Sequence, residues 1–469
     1  MTGITHCYFV GIGGIGMSAI ARYFHAEGIV VSGYDQRNSE LIAKLKSNGF
    51  SISAGESDTL ALKHFKNWLA EVPITSALVV RTPAVPSDFP IVVQARDSGC
   101  RIGKRSEILG SLTENNPTLA VAGTHGKTTT SSILAHLMQG QPTGCRALIG
   151  GILVKEQSNV LWSPNADWTV VEADEFDRSF LHLHPTHAVI TSADPDHLDV
   201  YGDTASFHEG FKAFAKQISG KLFMESGVQI KGVEGMRYGV TTSRKRAEAL
   251  HVAATNLRIE NSWLVGDIWL GKTWYENIRF PLAGVYNVKN ALAALCLSEA
   301  AGAAADICLK RLGDFQGIRR RFTYHIREEY GIYIDDYAHH PVELEAAIAA
   351  VRIHHPGREI TGVFQPHLFT RTRDNLIEFG RTLAQLDRVF LLPIYPAREA
   401  PIKGIDSQVL FENIPHHHKY LIKSNQIFDN LKEFPPDVLM TLGAGDIDRY
   451  VQPLAQWLKE DIKRFKPRT

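Results

Sequence analysis

The hexapeptide Gly123-Thr124-His125-Gly126-Lys127-Thr128 puts two glycines, a lysine and a hydroxyl where an apolar run, Thr118 to Ala122, gives way to helix-forming residues, Thr129 to Met138. Glycines at that junction place backbone amides at a helix N-terminus, where both the amides and the macrodipole favour an anion. A lysine and a threonine hydroxyl at this spacing suit the phosphates of a nucleotide triphosphate and its magnesium. Where the general phosphate-loop pattern has its first glycine, this chain has Val121, so the loop is a shortened variant. An ordinary tight turn is the bland alternative.

Two acidic clusters lie further along. Trp168-Thr-Val-Val is a strand-like run ending in Glu172-Ala-Asp174-Glu175-Phe-Asp177, and Ala188-Val-Ile-Thr191 is followed by Asp194-Pro-Asp196-His197-Leu-Asp199. Such a charge run is often only a solvated face, but acids at the ends of parallel strands fall where open α/β sheets bind ligands. Thr128 and Glu172 are therefore expected on magnesium. Chemistry alone leaves His197 a general base or a structural histidine.

Nearer the start, Gly11-Ile-Gly13-Gly14-Ile15-Gly16 is a G-x-G-x-x-G turn, with Asp35 closing the next strand as a ribose-binding acid would. The motif predicts a phosphate-bearing ligand at a helix N-terminus without establishing a nicotinamide dinucleotide. Towards the C-terminus, Asp335-Asp336-Tyr337-Ala338-His339-His340-Pro341 and Gln365-Pro-His367-Leu-Phe-Thr370-Arg371-Thr372-Arg373 each follow a strand-like run, the second bringing guanidinium groups for a carboxylate or phosphate. The run His416-His-His418 reads as a solvated patch.

The elements that must carry these groups alternate strand and helix throughout, which predicts an α/β protein with several cores. At 469 residues the chain is too long for one core, and three domains are expected: a Rossmann-like domain over 1–113, a phosphate-loop domain with a mixed sheet over 114–314, and a second Rossmann-like domain over 315–469. The linker Asn115-Asn116-Pro117 marks the first boundary, and runs between Leu250 and Phe280 predict antiparallel hairpins in the middle. With 44% hydrophobic and 21% charged residues the chain is expected to be folded and soluble. Fifty basic residues balance fifty acidic ones, which argues against nucleic acid or an anionic membrane as partner. Five scattered cysteines without a C-x-x-C pair, and no long apolar segment or leader, point to the cytoplasm.

Taken in order, Gly11 to Ser18, Gly123 to Thr129, Glu172 to Glu175, Asp196 to Asp199, Gly317 to Phe322, Asp335 to Pro341 and Gln365 to Arg373 resemble the Mur ligases of bacterial peptidoglycan synthesis, and above all the alanine-adding members. The likeness runs nearly end to end. It implies ligation of L-alanine to UDP-N-acetylmuramate through an acyl phosphate, with ATP and Mg2+, by a monomer or weak homodimer. By the same resemblance Gly123, Thr124, His125, Gly126, Lys127, Thr128 and Thr129 would hold ATP, with Asn290 against adenine and Arg320 and Asp336 reaching the nucleotide. Thr128 and Glu172 would bind one magnesium and His197 a second. Gly11, Gly13, Gly14, Ile15, Gly16 and Asp35 would hold the UDP moiety instead of NAD, and Tyr337, His339 and His367 would line the alanine pocket. Domain closure would bring His339, His367 and Arg371 to the loop at Lys127. The chain departs from the family at Leu368, where an arginine is usual and for which Arg371 would substitute, and at Tyr286, where a histidine is common. Lys212 is the candidate for the carbamylated lysine that related ligases carry. The competing expectations are a recycling ligase that attaches a whole tripeptide to the same sugar nucleotide, a Rossmann oxidoreductase using NAD, and an ATPase without ligation.

Overall fold

Three sheets carry the chain in the computed structural model, which describes residues 3–195, 201–260, 263–329, 331–397 and 399–461. The first sheet is wholly parallel, its strands lying in the order Ser51–Ala54, Val30–Asp35, His6–Val10, Ala77–Arg81 and Arg101–Lys104. Strand order reverses on either side of His6–Val10, which opens a crevice at its carboxyl end, where the glycine turn begins. The helix that follows, Ile15–Ala26, buries Met17, Ile20, Ala21 and Phe24 against this sheet.

The second sheet has ten strands. At its centre Thr118–Ala122, buried along its whole length, runs parallel between His187–Ile190 and Trp168–Ala173. The registers pair Ala122 with Ile190 and Val121 with Glu172, so the residues just beyond both neighbouring strands flank the loop that starts at Gly123. Cys145–Leu153 and an antiparallel edge strand, Ser158–Leu161, complete one side. The other side continues through Leu222–Glu225, Met236–Val240, Val252–Glu260, Trp263–Leu270 and Thr273–Phe280, the last three forming the expected hairpin region.

The third sheet runs Thr323–Glu328, Gly331–Asp336, Val438–Leu442, Ile360–Phe364, Arg388–Leu391 and Lys419–Leu421, antiparallel only at its first pair. Its central strands are buried on both faces, and alternation divides them: Ile332 and Ile334 join one core, Tyr333 the other. Pro341 opens the helix Pro341–His354 at its first turn, as its fixed φ favours.

The chain divides into two compact units. One comprises Met1–Leu257, Gly266–Arg279 and Lys289–Gln316, the other Arg258–Val265, Phe280–Val288 and Gly317–Thr469. The first unit contains the first sheet and most of the phosphate-loop sheet, locked together by buried polar contacts: Arg22 Nη1 donates to Asn159 Oδ1 at 2.5 Å, and Asn159 Nδ2 donates to the Ile15 carbonyl at 2.7 Å. Lys44 adds a hydrogen bond to the Gln157 carbonyl. The helix beginning at the glycine turn thus sits against the edge strand Ser158–Leu161 of the phosphate-loop sheet. Among the described residues no helix is long and apolar enough to cross a membrane.

Candidate functional site

The phosphate loop is held open from behind by its neighbours. Gly126 adopts φ 83° as it caps the helix Lys127–Met138, and a Cβ there would strike Asn290 Oδ1, so only glycine serves. Thr191 Oγ1 donates to the His125 carbonyl at 2.5 Å, the His125 amide donates to Ser192 Oγ at 2.8 Å, and Thr124 Oγ1 donates to the Asp194 carbonyl at 2.7 Å. These bonds leave the first-turn amides of Lys127, Thr128 and Thr129, which have no acceptor within the helix, for an anion.

Lys127 Nζ folds over this turn. It donates to the Gly123 carbonyl at 2.7 Å and to both oxygens of Glu175 at 2.7 and 2.9 Å. Burial pulls the lysine's pKa down, but the carboxylates of Glu175 and Asp174 outweigh it and hold the ammonium above its ordinary value. Glu175 is 1% exposed, and its carbonyl accepts from Tyr201 Oη at 2.7 Å. The loop's cation is therefore charged and already positioned.

Thr128 and Glu172 converge as the sequence predicted. Thr128 Oγ1 donates to Glu172 Oε2 at 3.1 Å, while Glu172 Oε1 accepts from Ser131 Oγ at 2.9 Å and from the Gly150 amide at 2.6 Å. Two hard oxygen donors beside a phosphate loop fit Mg2+, which keeps several waters and needs few protein ligands. No group of three or more His, Cys, Asp or Glu residues that could hold a metal ion occurs among the described residues. His197, the candidate for a second ion, lies outside the described residues. Lys212 pairs with Glu209 at 2.9 Å and lines a cavity of 630 Å³ with Lys216 and Lys221, a cavity that none of Lys127, Thr128 and Glu172 lines. Asn290, expected against adenine, is buried, lies against Gly126 and accepts from Thr130 Oγ1 at 3.3 Å.

The glycine turn at Gly11 is built on the same plan with different chemistry. The Gly11 and Ile12 amides donate to the Tyr34 carbonyl at 2.8 and 3.1 Å, and the Gly14 amide to the Gly11 carbonyl at 3.3 Å. Asp35, expected to reach a ribose, accepts the Gly13 amide at 2.8 Å; a Cβ on Gly13 would lie 2.8 Å from that carboxylate oxygen. Asp35 Oδ1 also accepts the Arg37 amide at 3.0 Å, so the acid braces the turn. The amides of Ile15 and Gly16 remain for a ligand anion.

In the second unit, four expected residues come together. His339 lies 5.2 Å from the Tyr337 ring and 5.8 Å from the His367 ring, and Arg371 Nη1 is 3.4 Å from His367 Nδ1. His339 Nδ1 sits 3.0 Å from the Tyr337 carbonyl and 3.3 Å from Glu343, which fixes the proton on Nδ1 and turns Nε2 into an acceptor. Burial lowers the His339 pKa to about 4, Glu343 opposing and Arg371 assisting, so the ring is neutral at pH 7. Leu368 takes φ 72° and donates its amide to the Tyr395 carbonyl at 3.0 Å. Its apolar side chain cannot replace an arginine, whereas Arg371, one helical turn on, has the charge.

Arg320 and Asp336 are engaged within this unit. Arg320 Nε donates to Asp335 at 3.0 Å, Nη2 to the Gly443 carbonyl at 2.6 Å, and Nη1 pairs with Asp448 at 3.2 Å. Asp336 accepts the Phe322 and Ala338 amides at 2.8 and 2.7 Å, and burial raises its pKa to about 6. Both hold the backbone around Tyr337, a structural duty that the sequence reading did not anticipate. Three other contributors also escaped that reading. Ser131 and Glu343 each lie one helical turn from a recognised residue, a signal that was there to use; Glu175 stood inside the acidic run with nothing to single it out.

Comparison with known proteins is consistent along the chain. The family descriptions "Mur ligase family, catalytic domain", "Mur ligase middle domain" and "Mur ligase, glutamate ligase domain" match residues 6–116, 121–298 and 320–447. The chain is 42% identical over 466 residues to a UDP-N-acetylmuramate--L-alanine ligase of Flavobacterium psychrophilum, covering 97% of this chain and 99% of the relative. It is 40% identical over 468 residues to the enzyme of the same description from Parabacteroides distasonis, covering 98% and 99%. Its fold is similar to that of the UDP-N-acetylmuramate-alanine ligase of Thermotoga maritima, with TM-score 0.81, 24% identity and coverage of 97% and 99% of the two chains.

Proposed function

The chain belongs to the Mur ligase family, and from that membership we propose that it joins L-alanine to UDP-N-acetylmuramate with ATP, in peptidoglycan synthesis. The observation that carries this reading is identity of 40–42% over nearly the whole of both chains with ligases of that specificity. The γ-phosphoryl group of ATP passes to the sugar nucleotide's carboxylate as its bond to ADP breaks. The amine of alanine then attacks the acyl carbon, a C–N bond forms, and inorganic phosphate leaves while the nitrogen gives up its proton.

Lys127 offsets charge on the phosphates, with the first-turn amides of its helix orienting them. Mg2+, when bound, would be held by Thr128 and Glu172 and would neutralise further phosphate charge. Gly11 to Gly16 receive the sugar nucleotide's diphosphate. Tyr337, His339, His367 and Arg371 receive alanine, Arg371 toward its carboxylate and the neutral Nε2 of His339 toward its amino group. Asn290 reaches the adenine side of the loop, and His197 is kept as the second magnesium ligand. Domain boundaries near 113/114 and 314/315, a monomer or weak homodimer, and a cytoplasmic site of action complete the proposal. The balanced charge and the phosphorylated substrates support the last of these.

Phosphate release that requires both UDP-N-acetylmuramate and free L-alanine is the expected result. Release that followed a tripeptide but not alanine would overturn the reading in favour of a recycling ligase, and a nicotinamide absorbance change would favour an oxidoreductase.

A further inference from the structure

The residues Gly11 to Ser18 include no cation, yet the ligand proposed for that turn is a diphosphate. Arg81, at the end of the neighbouring strand, commits Nη1 to the Val85 carbonyl at 2.9 Å. Arg105 is better placed. It opens the helix Arg105–Glu114, and a Cβ on Gly16 would lie 3.2 Å from its Nη1 and 3.3 Å from its Cδ. Its guanidinium therefore lies over the first turn of Ile15–Ala26, where the amides of Ile15 and Gly16 are left for an anion.

The other end of that guanidinium faces the phosphate loop. Arg105 Nη2 pairs with Asp174 Oδ2 at 3.6 Å, longer than a charge-assisted hydrogen bond between well-seated partners, with side chains 21% and 36% exposed. Asp174 immediately precedes Glu175, the acid that holds Lys127. One guanidinium thus stands between the two glycine turns, loosely held by a carboxylate that a phosphate can displace.

We propose that Arg105 is a binding residue for the diphosphate of the sugar nucleotide, and that Asp174 is its alternative partner when that ligand is absent. The inference rests on the assignment of the Gly11 turn to the sugar nucleotide. It adds a charged ligand group from outside the turn. Binding at the turn then releases Asp174 beside the Glu175–Lys127 pair, which links occupancy of one site to the electrostatics of the other.

The test compares UDP with uridine, which lacks the phosphates, by chemical-shift titration of the full chain. Arg105→Gln is expected to weaken UDP binding about ten- to a hundred-fold while leaving uridine unchanged, and Arg105→Lys to recover part of the loss. Asp174→Asn, by freeing the arginine, is expected to tighten UDP binding up to about five-fold. A merely structural Arg105 would shift the thermal midpoint and leave the UDP-to-uridine ratio as in the wild type, which overturns the proposal. Weaker or unchanged UDP binding in Asp174→Asn overturns the exchange of partners. Wild-type protein that binds neither probe refutes the assignment of the turn itself, a failure distinct from the other two.

Discussion

Two glycine turns in the same unit face opposite chemical problems with the same backbone. Each follows a buried parallel strand, opens a twelve-residue helix and leaves first-turn amides for an anion. The turn at Gly123 carries its own cation, Lys127, already bound to Glu175, with Thr128 and Glu172 alongside. The turn at Gly11 has none and spends an acid, Asp35, on fixing its shape. On the proposed function, the difference separates a site that must stabilise charge moving between atoms from one that need only hold a ligand. The first needs its lysine in a fixed place; the second can borrow charge from a distant helix.

The strongest way to break this comparison is Lys127→Ala. Turnover should fall at least about 10²- to 10³-fold in a phosphate-release assay, while calorimetry finds sugar-nucleotide binding retained, because the two turns bind separate ligands. Parallel loss of both, with the fold intact, would show that they do not. Next in size is Gly126→Ala, which forces a side chain into positive φ and into Asn290; ATP should bind about ten-fold more weakly, and thermal unfolding should show a loss of about 1–2 kcal/mol. Asp35→Ala sharpens the other side. Leaving the Gly13 amide without its partner should cost about 1 kcal/mol in denaturant unfolding and leave ATP affinity untouched, whereas an acid that served only the ligand would leave stability alone.

The smallest effect concerns the second unit. The His339 ring should titrate by NMR near pH 4 and not near 6.5. Below pH 6.5 the unfolded chain takes up a proton that the buried ring refuses, so this contribution to stability is complete above that value and is lost as pH falls towards 4. A ring that titrated at 6.5 would mean that the surroundings of His339 are wet.

Much of this is legible in the sequence. The strand Thr118–Ala122 matches the apolar run residue for residue, and the helix Lys127–Met138 begins within two residues of its expected start and ends where the helix-forming run does. Thr128 and Glu172 could be paired from sequence because a hydroxyl after the loop lysine and an acid at the end of a β-branched run have few other uses in that order. Arg320 and Asp336 were less legible. Their matching positions implied a nucleotide, but the sequence did not show that Asp335, Gly443 and Asp448 hold Arg320, or that two backbone amides converge on Asp336.

By itself, then, the sequence determined the periodic elements, the two anion-ready helix starts and the residue types around them, because each depends on neighbours a few positions away. It could not determine the pairing of Lys127 with Glu175, the bond from the Gly13 amide to Asp35, or the meeting of Arg105 with both Gly16 and Asp174. Those contacts join residues far apart in the chain and depend on which strands lie side by side and on how deeply each charge is buried. Only the packed sheets decide that, since the strength of a charge's interaction depends on the distance and the dielectric that the fold imposes.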